Sequence, residues 1–367
     1  MARPEGTRPG SSPGPGAART PSVAGFRAIL RPPPARVTNQ ALLVVLLLVF
    51  GSGVATVATG TPSGRWVAIS HGIAGMAILL LIPWKSRVVR GGLRRARRTR
   101  WASLLFAALV VTTIIAGLAY ATGVVRSIGG TLVLWIHIAV ALAVIPLALW
   151  HVAARRARPR RSDLSRRTFL RAGLVGSGAA GLYFAAGWAV GLSGLPGASR
   201  RFTGSYQTGS FDPGAMPDTI WLEDQVPAVD PDRWQLTVVD GAGRYKLTLG
   251  DLLAFGTRIR ATLDCTSGWY ARQDWTGVPV SALLRSSGQA RSLLVHSVTG
   301  YWIRAPARDA SRLLLATSVG GAPLSPGHGY PLRLVAPGRR GYWWVKWVDR
   351  IELQAAPWWW QPPFPVT

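Results

Sequence analysis

Five long apolar runs constrain this chain more than any other feature. They fall at about 41–59, 66–84, 101–125, 131–151 and 172–192. A helix needs about 20 apolar residues to cross a bilayer, and each run has that length. The basic residues are sorted around them. Six precede the first run, eight lie between Lys85 and Arg100, and eight lie between Arg155 and Arg171. The two other short connections carry one each, Arg65 and Arg126. This is the positive-inside pattern of a multi-pass membrane protein. It places the N terminus in the cytoplasm and everything from about Ser193 onward outside. A net charge of +27 would otherwise point to nucleic acid. Here the charge follows topology, and residues 193–367 hold 18 basic against 13 acidic side chains. Nucleic acid is therefore not an expected partner, whereas membrane lipid is.

Four segments follow. Residues 1–38, rich in Pro, Gly, Ser, Ala and Arg, read as a disordered basic cytoplasmic tail. Residues 39–152 read as a four-helix transmembrane domain. Residues 153–192 hold Ser165-Arg166-Arg167-Thr168-Phe169-Leu170 and then the fifth, Gly/Ala-rich run. That motif reads as a twin-arginine export signal, although two cytoplasmic flanking arginines would look similar. It predicts the twin-arginine translocase as a transient partner and a bacterial plasma membrane as the location. It also predicts that residues 193–367 cross already folded, with any cofactor in place. With four runs ahead of it, the signal segment is expected to stay as an anchor.

Three of the five histidines, His71, His137 and His151, lie in the apolar runs. An intramembrane ionisable residue is a functional candidate by default. At ~1.5 Å per residue, His71 and His137 both sit about 8–9 Å below the outer surface. Two imidazoles at one depth can hold a haem iron from both faces, or hydrogen-bond between helices. We expect one b-type haem on His71 and His137, as in small cytochrome b-like bundles. Gly72, Gly75 and Gly117 would allow close packing or a flat macrocycle. His151 has no partner at its own depth and reads as an interfacial side chain.

The exported part reads as a globular α+β unit. Strands are expected at 234–241, 258–265, 292–298, 311–319, 331–337 and 347–354, with short helices near 250 and within 278–288. Its lone cysteine, Cys265, excludes an internal disulfide framework.

Two runs are more specific. LDCTSGWYARQDWTGVPVSALL (263–284) and GAPLSPGHGYPLRLVAPGRRGYWWVKWVDRIEL (321–353) resemble the molybdopterin-binding domain of the sulfite oxidase family. The matching elements are the cysteine, the Trp-Gly-x-Pro turn, the His-Gly-aromatic-Pro-x-Arg core and the Val-Lys-Trp strand. The resemblance covers about 150 residues from Pro227. It implies molybdopterin as cofactor, with Cys265 as the thiolate ligand of molybdenum, a soft donor suited to that metal. It further implies cofactor contacts from Ser297, His328, Arg333, Val345 and Lys346, with Tyr330 near the metal. Each residue alone has an ordinary reading. A lone cysteine is usually a small buried hydrophobe, and Arg333 and Lys346 have Asp349 and Glu352 as possible ion-pair partners.

One departure bears on the substrate. Glu223 and Asp224 stand where the family carries basic or amide residues that help bind an oxyanion. No segment resembling the family's dimerisation domain follows within these 367 residues, as in the related exported methionine sulfoxide reductases. The expectation is a molybdopterin-dependent oxidoreductase using a small extracytoplasmic substrate of the S-oxide or oxyanion class. Its haem would exchange electrons with quinone or another membrane partner. The alternatives are a haem-free reductase fed by a separate partner, and a non-catalytic membrane-anchored binding module that keeps the fold. The C-terminal run APWWWQPPFPVT is too short to span and reads as interfacial or packed on the domain edge.

Overall fold

The computed structural model describes residues 32–93, 100–154, 160–220, 225–286 and 289–361. Most of the predicted basic tail therefore lies outside the described residues, as do Glu223 and Asp224. Every apolar run forms a helix: α1 (Ala35–Ala58), α2 (Gly64–Leu93), α3 (Arg100–Thr122), α4 (Val133–Ala154) and α5 (Arg166–Leu192). All five are long and apolar enough to cross a membrane. Leu47, Ile115, Leu149 and Trp188, on four different helices, are mostly exposed. Helices so apolar on their outer faces suit a lipid surround rather than water. The Arg-Arg pair occupies the first turn of α5, whose N-cap Ser165 accepts a bond from the Thr168 amide at 3.3 Å.

α1 packs along α2, α3 along α4, and α5 along α2, whereas the two hairpins make little direct contact with each other. A two-strand hairpin of β1 (Ser127–Ile128) and β2 (Thr131–Leu132) joins α3 to α4. Gly72 serves the α2–α5 contact, since a Cβ there would lie 2.3 Å from the Tyr183 ring. Gly75 has nothing within 4 Å of such a Cβ.

The C-terminal unit is mainly β, with less helix than expected. Its only α-helix among the described residues is α6 (Leu249–Leu253), and the 278–288 helix reduces to a 3-10 turn at Val280–Leu283. One sheet is built on the long hairpin β6 (Thr257–Asp264) and β7 (Trp269–Pro279). Next to β7 stand β3 (Tyr206–Gln207) and β10 (Leu314–Val319), and β10 also pairs β11 (Ala322–Pro323) and β12 (Arg333–Val335). The second sheet runs β5 (Gly243–Thr248), β4 (Gln235–Asp240), β13 (Val348–Gln354), β8 (Ser292–Ser297), β9 (Trp302–Pro306). Alternating inward residues fill the core; Trp275, Val278, Leu315 and Leu334 of the first sheet are fully buried, as are Val238, Val295 and Ile351 of the second.

The β unit sits directly on one end of the helices. The Tyr120 hydroxyl of α3 donates to Gly268 O at 3.2 Å, and the Tyr342 hydroxyl donates to Ala58 O of α1 at 3.1 Å. The α1–α2 turn presses on residues 338–340 so closely that a Cβ at Gly60 would lie 2.7 Å from Arg340 N. The other end of the bundle is tied separately, by Arg36 to Asp163 at 2.6 Å and Lys85 to Asn39 at 2.9 Å. The ends assigned outward from charge are thus the ends that carry the β unit.

Candidate active site

β6 and β7 deliver Cys265 where the hairpin turns. Its amide bonds Trp269 O at 2.9 Å, and Gly268 takes a positive φ of 89° to close the turn. The sulfur lies in a cleft with about 720 Å³ of empty space, counting its open mouth. Ser297, Arg333, Val345 and Lys346 line the same cleft. The fold therefore gathers five of the sequence-predicted residues from β6, β8, β12 and the loop before β13.

Arg333 is 3 % exposed and lies over the Trp275 and Trp344 rings at 5.7 and 5.9 Å. Its Nη1 donates to His328 O at 3.0 Å, while its buried Nε has no protein partner. Burial pulls the guanidinium pKa down to about 10, against the opposing pull of Cys265 and Asp218. Buried polar groups are normally satisfied, so an orphaned cationic N–H beside a thiol marks a place for an anionic ligand. Lys346 donates to Thr219 O at 2.9 Å and to Gly327 O. The sequence alternative of ion pairs with β13 is not how these cations are arranged: Asp349 faces His296, and Glu352 faces Arg350.

His328 and Tyr330 do not line the cleft. His328 is a buried strut: Nδ1 bonds Ser325 Oγ at 2.8 Å, and Nε2 lies 3.1 Å from Met216 O and 3.0 Å from Asp218 Oδ1. Burial holds its pKa below the ordinary histidine value. It acts on the site through its carbonyl, which receives Arg333. Tyr330 packs against the hydrophobic core.

Two groups around Cys265 escaped sequence reasoning. Behind it, Asp264 is 2 % exposed and binds Arg201, Arg340, Thr203 and Ser205. Arg340 and Ser205 also reach Cys265 O, at 3.2 and 3.3 Å. An aspartate next to the only cysteine was the available signal. In front, Trp269 Nε1 donates to Thr219 Oγ1 at 2.8 Å, Thr219 Oγ1 meets Ser267 Oγ at 3.2 Å, and Ser267 Oγ meets Cys265 Sγ at 3.0 Å.

In the helices, His71 and His137 come together across the space between the hairpins, with ring centroids 6.2 Å apart and planes at 89°. Each ring is held by a carbonyl of its neighbouring helix, and His71 Nδ1 also lies 3.3 Å from Ser52 Oγ. His71 Nδ1 lies 3.0 Å from Val49 O, with Gly53 beside the ring; His137 Nδ1 lies 2.8 Å from Thr113 O, with Gly117 beside the ring. His151 stacks instead on Phe106 at 5.3 Å.

A family model described as the oxidoreductase molybdopterin binding domain matches residues 223–359. The uncharacterized oxidoreductase YuiH of Bacillus subtilis is 31% identical over 135 residues, covering 34% of this chain and 67% of that protein. Mitochondrial sulfite oxidase of Rattus norvegicus is 28% identical over 167 residues, 35% of this chain and 31% of the relative. An NADPH nitrate reductase of Phytophthora infestans is 36% identical over 93 residues, 22% of this chain and 10% of the relative. The chain thus spans a third or less of the sulfite oxidase and nitrate reductase it matches. Among solved structures, the sulfane dehydrogenase SoxCD of Paracoccus pantotrophus aligns at 25% identity and a TM-score of 0.34, over 36% of this chain and 40% of that one.

Proposed function

This chain belongs to the family of oxidoreductase molybdopterin-binding domains, and on that footing we propose that it is a membrane-anchored molybdopterin-dependent oxidoreductase with an integral b-type haem. Its substrate is a small extracytoplasmic molecule of the S-oxide or oxyanion class. The observation that carries the reading is the cleft itself: a lone thiol, and a sealed arginine whose Nε has no protein partner. Cys265 would hold molybdenum through sulfur, with Arg333 and backbone groups near Val345 facing the anionic part of the pterin. Ser297 and Lys346 complete the polar lining. When bound, the metal supplies two-electron chemistry suited to oxygen-atom transfer. The protein's share is to fix the thiolate, present positive charge and limit water with Trp269, Trp344 and Trp347.

The haem part rests on the His71–His137 geometry. His71 and His137 would hold the iron, and their ring centroids, 6.2 Å apart, bring the two imidazoles close enough to share one ligand group. Nδ1 of each ring is occupied by a helix carbonyl, which leaves Nε2 as the donor. The sparse packing between the hairpins fits a flat macrocycle. The pair lies on the side that carries the β unit, which suits exchange of single electrons between the cleft and quinone or another membrane partner. The same arrangement supports a multi-pass plasma-membrane location with residues 193–367 outside, exported through the twin-arginine translocase.

The test is molybdenum and haem content of detergent-purified protein, wild type beside Cys265→Ser. Molybdenum near one per chain, lost in the variant, together with a b-type spectrum, is the expected result. Molybdenum without haem would remove the role given to His71 and His137 and favour a separately fed reductase. No molybdenum from a host that makes the cofactor would overturn the enzyme reading in favour of a binding module.

A further inference from the structure

We propose that Ser267 is a positioning residue that polarises the Cys265 thiolate, as the last link of a one-way hydrogen-bond chain, and thereby raises the reduction potential of the metal held there. The inference rests on the molybdopterin reading above, and adds which residues of this chain tune the site. Its direction follows from the inventory of donors. The Trp269 indole N–H can only donate, and its partner at 2.8 Å is Thr219 Oγ1. The Thr219 proton is then free to go to Ser267 Oγ at 3.2 Å. The Ser267 proton goes in turn to Cys265 Sγ at 3.0 Å. A metal-ligating thiolate accepts only, so the chain is satisfied in one direction, from indole to sulfur.

The links are held from outside the chain as well. Lys346 binds the Thr219 carbonyl at 2.9 Å, and Trp269 is buried at 8 % exposure beside Cys265. Thr219 comes from the segment between β3 and β4, whereas Ser267 and Trp269 belong to the cysteine turn. The chain therefore depends on two separated segments meeting at the cleft wall. A hydrogen bond to sulfur draws negative charge away from the metal–sulfur bond. The more reduced metal is thereby favoured, the same lever by which outer partners tune other thiolate-bound metals. Successive links polarise each other, so loss of a distant link weakens the bond to sulfur without removing it.

The experiment is a redox titration of the molybdenum signal by electron paramagnetic resonance on the full chain as purified, with metal content measured on each sample. Ser267→Ala should keep molybdenum and lower the potential. A tenfold fall in the reduced-to-oxidised ratio at fixed potential corresponds to about 59 mV for a one-electron step. Thr219→Val should shift it the same way by less, and Ser267→Thr, which keeps a hydroxyl, should stay at the wild-type value. Full molybdenum with an unchanged potential in Ser267→Ala overturns this inference alone. So does a Ser267→Thr protein that shifts as far as Ser267→Ala, because packing rather than the hydroxyl would then be responsible. A wild-type protein without molybdenum overturns both this inference and the reading beneath it.

Discussion

Replacing Asp264 by Asn is the sharpest test of how the thiol turn is held. Asp264 and Arg340 are each 3 % exposed at the side chain, so water does little to screen the pair. Removing one partner of a buried ion pair leaves the other charge uncompensated and costs about 3–5 kcal/mol. Arg201 adds little, because its side chain is 28 % exposed and such pairs are worth at most about 1 kcal/mol. The new amide also places an N–H against donors that the carboxylate had accepted. Against a typical domain stability of about 5–15 kcal/mol, the loss is about a fifth or more. The assay is urea denaturation of the full chain in detergent, followed by tryptophan fluorescence, for Asp264→Asn, Arg340→Met and the double variant. The double variant should recover much of the loss, since it removes both charges. An Asp264→Asn cost below about 1 kcal/mol, or a double variant as damaged as the two singles summed, would refute the argument.

Three further outcomes are expected. Gly117→Ala puts a Cβ 3.0 Å from two ring atoms of His137 and should lower the haem-to-protein ratio in purified samples; Gly51→Ala, with nothing within 4 Å, should not. Tyr120→Leu deletes the bond to Gly268 and should slow electron exchange between molybdenum and haem in stopped-flow absorbance, at unchanged content of both; an unchanged rate would take this contact out of the route. The third outcome concerns acid. Burial lowers the pKa of His328, aided by Arg333 and Lys346 and opposed by Asp218. The unfolded chain takes up that proton at about pH 6.5, the native state only lower, so stability is full above that value and falls as pH drops through the window. His328→Gln should flatten the dependence of the urea midpoint between about pH 7.5 and 5.5; an equally steep slope would place the effect elsewhere.

The helices and the position of Cys265 were legible because their signals are local. An apolar run of helical length needs no partner to be recognised, and β6 ends at a cysteine whose neighbours match a family pattern. The long strand β7 was read as motif rather than strand, because its alternation is broken by the turn residues Gly277 and Pro279. His328 looked like a ligand-facing residue from its place before Pro331. In the fold its ring turns toward Met216, Ser325 and Asp218, which come from both near and far in sequence. The Thr219–Ser267 and Asp264–Arg340 contacts join segments 48 and 76 residues apart, and no periodicity encodes such meetings. The His71–His137 pairing was anticipated from depth alone. The matched carbonyl and glycine that hold each ring needed the neighbouring helices in place.

The seating of the β unit on the helix ends has a consequence for assembly. Only the stretch Ser193–Ser205 joins α5 to β3, so on the proposed topology a domain that had crossed the membrane would search for its seat on a leash of 13 residues. Such a tether holds the two surfaces at an effective concentration of about a millimolar. A contact with a dissociation constant of about 0.1 mM would then be occupied roughly nine-tenths of the time. The contacts at Tyr120, Tyr206 and Tyr342 therefore need only modest intrinsic affinity to keep the β unit seated. On that topology, cutting the leash would release the domain even though every seating residue remained in place.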